Sequence, residues 1–149
     1  MTTQTPVPTR NAAPSGYTAL LEQVRYDGAY PTRERAREAV ERVLAALGRH
    51  LVGDERVELA AALPVEAALT LTGQVPALDP LTGWEFVKDL ADRSGASPAT
   101  TRWDVGAVLG AVARLCGPEL TTRVIHALPP GYALLFGRAE LRPRTGPAA

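Results

Sequence analysis

The side chains that most often perform catalysis or bind metals are few in this sequence and far apart. The histidines are His50 and His126, the cysteine is Cys116, and no Cys-x-x-Cys or His-Glu-x-x-His spacing occurs. No phosphate-binding P-loop or nucleophile elbow is present either. We therefore predict a protein that is not an enzyme and uses no cofactor or metal, with the histidines at helix surfaces or ends and Cys116 in the core.

Arginine is the residue type that could bind an anion at matched places in the chain. Arg37 and Arg102 are 65 positions apart, and so are Arg49 and Arg114. Because a guanidinium group can clamp a phosphate or carboxylate, Arg37, Arg102 and Arg49 are candidate anion-binding residues. Arginines at helix ends also bond to nearby carbonyls or acids, and this alternative stays open.

The charges around Arg37 have the spacing of an exposed ladder of ion pairs. Glu38 precedes Arg42 by four positions, and Arg37 precedes Glu41 by four. Such pairs lie one helical turn apart, so we interpret this face as solvated rather than as an acid–base or nucleic-acid site.

An internal repeat accounts for the matched positions. Residues 21–72 and 86–137 align without a gap at an offset of 65, and twelve of the 52 pairs are identical. Leu-Pro recurs in both copies, at Leu63-Pro64 and Leu128-Pro129. Proline cannot donate the hydrogen bond of a helix interior, so each Leu-Pro is predicted to be a corner between a third and a fourth helix. The short fourth helix is predicted to be VEAALTL in the first copy and GYALLF in the second.

Apolar residues at spacings of three and four predict four short helices in each copy. Thr82 and Glu85 fit a capping box, which predicts a helix from about Gly83 to Ser94. The first copy is predicted to have a long helix from Thr32 whose core face carries Ala36, Ala39, Val40, Val43, Leu44, Leu47 and Leu51. A second long helix is predicted between Ser97 and Gly117. Its core face is predicted to carry Val105, Val108, Leu109, Val112 and Cys116.

These elements predict an all-α fold, with about eight helices in two tandem pseudo-symmetric four-helix repeats packed as one domain. Segments 1–16 and 142–149 have little to bury and are predicted to be disordered tails. The helical domain is predicted over residues 17–141, with repeat one at 17–73, a linker at 74–81 and repeat two at 82–141.

The paired pattern resembles a known family over about residues 17–141. It reads AVERVLAALGRHLVGDERVELAAALP in the first copy and VGAVLGAVARLCGPELTTRVIHALP in the second. The Val-Leu helix, a Gly with an acidic residue near a helix start, and the final Leu-Pro resemble the bacterial family called domain of unknown function 2267. Trp103, Gly106 and Gly110 depart from its pattern. The resemblance implies an all-helical fold and, because the family has no established activity, no catalytic residues.

The second long helix differs from the first on the face opposite its core. Two interior glycines cost about 1 kcal/mol each relative to alanine, so we expect another backbone to approach closely there. The first repeat, a partner protein or a second protomer could supply that backbone, and all three stay open. The face carries Trp103, Gly106, Ala107, Gly110 and Arg114, where the first copy has Glu38, Glu41, Arg42, Ala45 and Arg49.

The charge balance limits the classes of partner. The 16 basic and 16 acidic residues cancel, so no basic excess favours nucleic acid or an anionic membrane. No run approaches the roughly 20 apolar residues of a membrane helix, and the amino terminus lacks a secretory signal pattern, so we expect a cytoplasmic protein with no membrane partner.

The leading hypothesis from the sequence is a non-enzymatic protein-interaction module. Its candidate interface is the Trp103 face of the second long helix, which binds a protein partner or a second copy. The alternative is a small-molecule or nucleic-acid binder that uses the repeated arginines, although the charge balance disfavours nucleic acid.

Overall fold

The computed structural model describes residues 16–139, which form eight α-helices and no strand. The predicted all-α fold of about eight helices is therefore confirmed. Residues 1–15 and 142–149 of the two predicted tails lie outside the described residues, as do residues 140–141 of the predicted domain, and Gly16, predicted as tail, begins the first helix. The helices are α1 (Gly16–Gly28), α2 (Arg33–Gly48), α3 (Asp54–Ala62), α4 (Val65–Thr72), α5 (Gly83–Ser94), α6 (Pro98–Cys116), α7 (Pro118–Ala127) and α8 (Tyr132–Leu135).

Capping side chains set the starts of α5 and α6. The Thr82 hydroxyl accepts a hydrogen bond from the backbone N–H of Glu85 at 3.2 Å, and the Glu85 carboxylate accepts one from the Thr82 N–H at 3.0 Å. At α6, the Ser97 hydroxyl accepts from the Thr100 N–H at 3.1 Å, and Pro98 occupies the first helical position. Both predicted helix starts are confirmed.

Each Leu-Pro pair forms a corner between two helices. Leu63 and Leu128 have extended backbone, with ψ angles of 157° and 160°, and both side chains are buried. Helix α4 begins directly after Pro64. In the second copy Gly131 has a φ of 98°, which is left-handed, so α8 starts later and is shorter than the predicted segment GYALLF.

One hydrophobic core contains side chains from all eight helices. Helix α1 packs against α2 and α6, and α3 packs against α7, so the helices of the two halves interleave. Burying each Val or Leu side chain contributes about 1.5–3 kcal/mol, and the core therefore joins both halves of the chain. Its central stripes are Ala36, Ala39, Val40, Val43, Leu44 and Leu47 on α2, and Val105, Val108, Leu109 and Val112 on α6.

Helix boundaries in the two halves follow the 65-residue offset of the sequence. Arg33 and Pro98, which begin the two long helices, are 65 positions apart, and so are Ala62 and Ala127, which end α3 and α7. Helix α6 has 19 residues and α2 has 16. The pseudo-symmetric arrangement of the two repeats in space stays a prediction.

Candidate functional site

A surface cleft of about 540 Å³ lies along the outer face of α6. Seven of its lining residues come from α6 and one, Asp27, comes from the end of α1; we call it the α6 cleft. The structure brings all five candidate interface residues to this one concave surface. The lining consists of Trp103, Gly106, Ala107, Gly110 and Arg114, together with Asp27, Ala99 and Arg102.

The two glycines form the floor of the α6 cleft, and among residues 16–139 no other helix covers them. A Cβ atom placed on Gly110 would meet a guanidinium nitrogen of Arg114 at 3.9 Å, and one placed on Gly106 would lie 2.8 Å from a guanidinium nitrogen of Arg102. Both neighbours are flexible side-chain ends from the same helix. Of the three alternatives left open by the sequence, a backbone of the first repeat against these glycines is therefore not observed among residues 16–139. The missing side chains leave a cleft instead.

Trp103 forms one wall of the α6 cleft in a fixed orientation. The residue is 57% exposed, and its indole N–H donates a hydrogen bond to the carbonyl of Gly28 at 2.9 Å. Gly28 is buried, and a side chain there would collide with the ring of Tyr30. The indole is thus anchored at its polar edge while much of its apolar surface faces solvent.

Arg114 forms an ion pair with Asp27, which joins α6 to α1 beside the floor. The Arg114 side chain is 56% exposed, so the pair is solvated and contributes at most about 1 kcal/mol. A carboxylate from another molecule could therefore compete for Arg114 at little cost to the fold.

Arg102 has no carboxylate within ion-pair distance among residues 16–139. Its guanidinium lies over Gly106, and its one hydrogen bond to the described chain is a long one of 3.4 Å to the Leu134 carbonyl. Because glycine at 106 has no side chain, the Arg102 guanidinium can lie along the helix at the floor of the α6 cleft.

The three arginines predicted to bind an anion lie in different surroundings. Arg37 donates hydrogen bonds to Glu34 at 3.0 Å and to Glu41 at 3.1 Å. Arg49 follows α2, where burial lowers its pKa and its Nε has no hydrogen-bond acceptor among the described residues. Of the three, only Arg102 lines the α6 cleft.

The charged face of α2 neutralises itself through local pairs. Arg37 and Glu41 form the predicted pair at four-residue spacing. Glu38 pairs with Arg35 at 3.1 Å and not with Arg42 as its spacing predicted, because the three-residue contact is also within reach on a helix. Glu38 aligns with Trp103 in the repeat, so α2 carries paired charges where α6 carries the indole.

The histidines and the cysteine lie away from the α6 cleft. His50 is half-buried with its ring edge-on to Phe86, 5.8 Å between centroids, and burial lowers its pKa. His126 is exposed in the last turn of α7. Cys116 is half-buried against the core, and burial raises its pKa to about 11. A raised pKa keeps the Cys116 thiol protonated near neutral pH, so it does not favour a reactive thiolate there.

A buried polar pair lies beside the α6 cleft, and no pattern in the sequence indicated it. The Tyr30 hydroxyl donates a hydrogen bond of 2.5 Å to the carboxylate of Asp104, the residue after Trp103. The two residues are 7% and 8% exposed. Burial, followed by this hydrogen bond, raises the pKa of Tyr30. The pair ties the loop after α1 to α6 and so helps to position Trp103.

Arg56 is a second structural residue that the repeat did not reveal, because its aligned position is Thr121. Its guanidinium donates to the carbonyls of Leu51 at 3.0 Å, Thr72 at 3.2 Å and Gln74 at 2.9 Å. It therefore ties the ends of α2 and α4 together through carbonyls that those helices leave unpaired.

The fold and the cleft define an all-helical protein with a surface groove on its longest described helix. The family described as an uncharacterized conserved protein, DUF2267, has a model that matches residues 17–135. The chain belongs to this family, so the resemblance inferred from its paired pattern is confirmed. No curated protein gave a match in the corresponding comparison. None of the helices in residues 16–139 is both long and apolar enough to cross a membrane.

Proposed function

We propose that this chain is a non-enzymatic protein-interaction module that binds its partner in the α6 cleft. The observation that supports this function is the half-exposed indole of Trp103, anchored beside a floor of glycines. Tryptophan and arginine contribute most to binding energy at protein interfaces, especially where they flank a pocket that excludes water. Because the indole is already fixed by Gly28, little side-chain entropy is lost when a partner covers it.

The comparison with α2 supports the same function. On α2 the aligned face carries Glu38 and Glu41, which form ion pairs with Arg35 and Arg37 of the same helix. On α6 that face has lost its acids, and Gly106 and Gly110 lower the intrinsic stability of the helix. Because only α6 of the two related helices loses stability in this way, we infer that the concave surface its glycines create serves binding.

Affinity capture from the native cell tests this proposal. The bait is the chain with a carboxy-terminal tag, as wild type, as Trp103→Glu and as the control Trp84→Glu. Trp84 is 59% exposed on α5 and does not line the α6 cleft, so it matches Trp103 in residue type and exposure. We expect a protein that is captured by the wild type and the control and is lost with Trp103→Glu.

Two further readings separate the outcomes. Circular dichroism must show equal helicity in all three baits, since Trp103 is exposed and its replacement leaves the core intact. Light scattering after size exclusion shows whether the captured partner is a second copy of the chain. The proposal is wrong if Trp103→Glu captures the same proteins as the control.

The alternative function is small-molecule or nucleic-acid binding through the repeated arginines. It is supported by one observation: the Arg102 guanidinium lies over Gly106 in the α6 cleft without a carboxylate partner in residues 16–139. Arg37 is engaged by Glu34 and Glu41, which argues against a joint site. If an Arg37→Ala, Arg102→Ala double variant still bound a ligand or nucleic acid found with the wild type, this alternative would fail.

A further inference from the structure

The α6 cleft continues towards the end of its helix into a second cavity of about 350 Å³. The two cavities share Gly110 and Arg114, and we call them together the α6 groove. The stretch from Ala99 to Gly117 corresponds to about 27 Å of helix at ~1.5 Å per residue. An extended peptide of about eight residues has this length. The second cavity adds Ala113, Gly117, Pro118, Phe136, Gly137 and Arg138.

The α6 groove concentrates positive charge in a chain whose total charge is zero. Among the described residues it contains three arginines and one carboxylate, Asp27, which is already paired with Arg114. Arg138 donates to two uncharged oxygens, the hydroxyl of Thr122 at 2.6 Å and the carbonyl of Pro118 at 2.8 Å. Arg102 and Arg138 thus have no carboxylate partner among residues 16–139.

We infer that the partner enters the α6 groove with an acidic segment, whose carboxylates pair with Arg102 and Arg138 and whose apolar side chains cover Trp103. This inference rests on the proposed function and names the chemistry of the partner. Arg114 in the groove already forms an ion pair with the Asp27 carboxylate, which shows that a carboxylate fits beside the floor. Guanidinium groups bind carboxylates through paired, charge-assisted hydrogen bonds.

The composition of the α6 groove favours an acidic protein segment over nucleic acid. Its floor and ends are apolar or small, including Ala107, Ala113 and Phe136. Three arginines match two or three carboxylates, whereas a polyphosphate chain needs a longer basic track. Because the 16 acidic residues balance the 16 basic residues, the net charge of the chain also provides no long-range attraction for a polyanion.

Peptide display tests this inference. Peptides that bind are selected from a random library, and the affinity of each selected peptide, carrying a fluorescent label, is then measured by fluorescence anisotropy. The baits are wild type, Arg102→Gln, Arg102→Lys and the control Arg42→Gln, an exposed arginine on α2 outside the groove. We expect enrichment of Asp and Glu with the wild type. Arg102→Gln should weaken the winners about tenfold or more, Arg102→Lys less, and Arg42→Gln less than about twofold.

The results that would overturn the inference are distinct. Winners without acidic enrichment, or with equal affinity for the Arg102→Gln and Arg42→Gln baits, exclude an acidic segment. Binding of an oligo-dT probe that depends on Arg102 points to nucleic acid instead. If a captured protein still depends on Trp103, these results overturn the acidic segment alone. If no captured protein depends on Trp103, the proposed function itself fails.

Discussion

Replacing Tyr30 with phenylalanine removes one oxygen atom and leaves the buried carboxylate of Asp104 without its observed donor. The hydroxyl and the carboxylate are 2.5 Å apart, and both residues are more than 90% buried. Phenylalanine keeps the ring, and with it the contact with the Arg35 guanidinium, which lies 5.5 Å from the ring centroid. The change therefore isolates a single hydrogen bond.

The expected loss follows from the burial of the acceptor. A hydrogen bond to a charged group contributes about 1.5–3 kcal/mol, and a buried charge without its partner costs about 3–5 kcal/mol. Asp104 keeps a small exposed fraction, 8%, through which water can solvate it in part. We therefore expect Tyr30→Phe to lower the free energy of unfolding by about 2–3 kcal/mol. For a chain of this size, this corresponds to about 4–12 °C in Tm.

Urea unfolding followed by circular dichroism measures this loss, with Tyr26→Phe as the matched control. Tyr26 is 81% exposed near the end of α1, so removing its hydroxyl should change the stability by less than about 0.5 kcal/mol. A double variant with Asp104→Asn should lose less than the sum of the two single changes, because the residues interact directly. Equal stability of the Tyr30→Phe and Tyr26→Phe variants would refute the reasoning.

Three more predictions concern single residues. Gly110→Ala should raise the free energy of unfolding by about 0.5–1 kcal/mol, because alanine favours the helix over glycine. Among residues 16–139 the new Cβ atom would meet only Arg114, at 3.9 Å. Equal or lower stability in urea would contradict this prediction. Burial lowers the pKa of His50, so near this pKa the unfolded chain binds more protons than the folded chain. The free energy of unfolding should therefore fall as the pH drops below about 6.5. His50→Gln should reduce this pH dependence when unfolding is measured across an acid titration. Burial also raises the pKa of Cys116 to about 11, so iodoacetamide at pH 8 should alkylate the native thiol more slowly than the urea-unfolded thiol. Equal alkylation rates would exclude that burial.

Local signals in the sequence were sufficient to predict helix ends and the buried faces of the long helices. Thr82 with Glu85 and Ser97 with Pro98 act within one turn, so their neighbours alone determine the outcome. Proline acts as locally, which is why both Leu-Pro corners were predicted correctly. Only the length of α8 was overestimated, because a left-handed Gly131 delays its start.

The candidate site was predicted as a set of residues but not as a shape. A helical wheel places Trp103, Gly106 and Gly110 on one face, yet it does not show whether another helix covers that face. The structure leaves the glycines open and anchors the indole on Gly28. The wheel also cannot show which distant groups meet.

Contacts between distant positions were not predicted either, because sequence patterns do not show how the helices pack. Tyr30 and Asp104 are 74 positions apart, and neither forms part of a local pattern. The pairing of Asp27 with Arg114 joins positions that the repeat matched to other partners, since it aligned Asp27 with Asp92. Both contacts depend on how α1 packs against α6, which no spacing in the chain determines.

The measurement that tests the central claim most directly is partner capture by Gly110→Leu, with unfolding in urea measured on the same protein. Leucine fills the floor of the α6 cleft without changing its charge, and Ala61→Leu is the control with an added apolar side chain on α3, outside the cleft. We predict that Gly110→Leu is at least as stable as the wild type and loses the partner, while Ala61→Leu retains it. A Gly110→Leu variant that folds and still captures the same partner would contradict binding in this cleft.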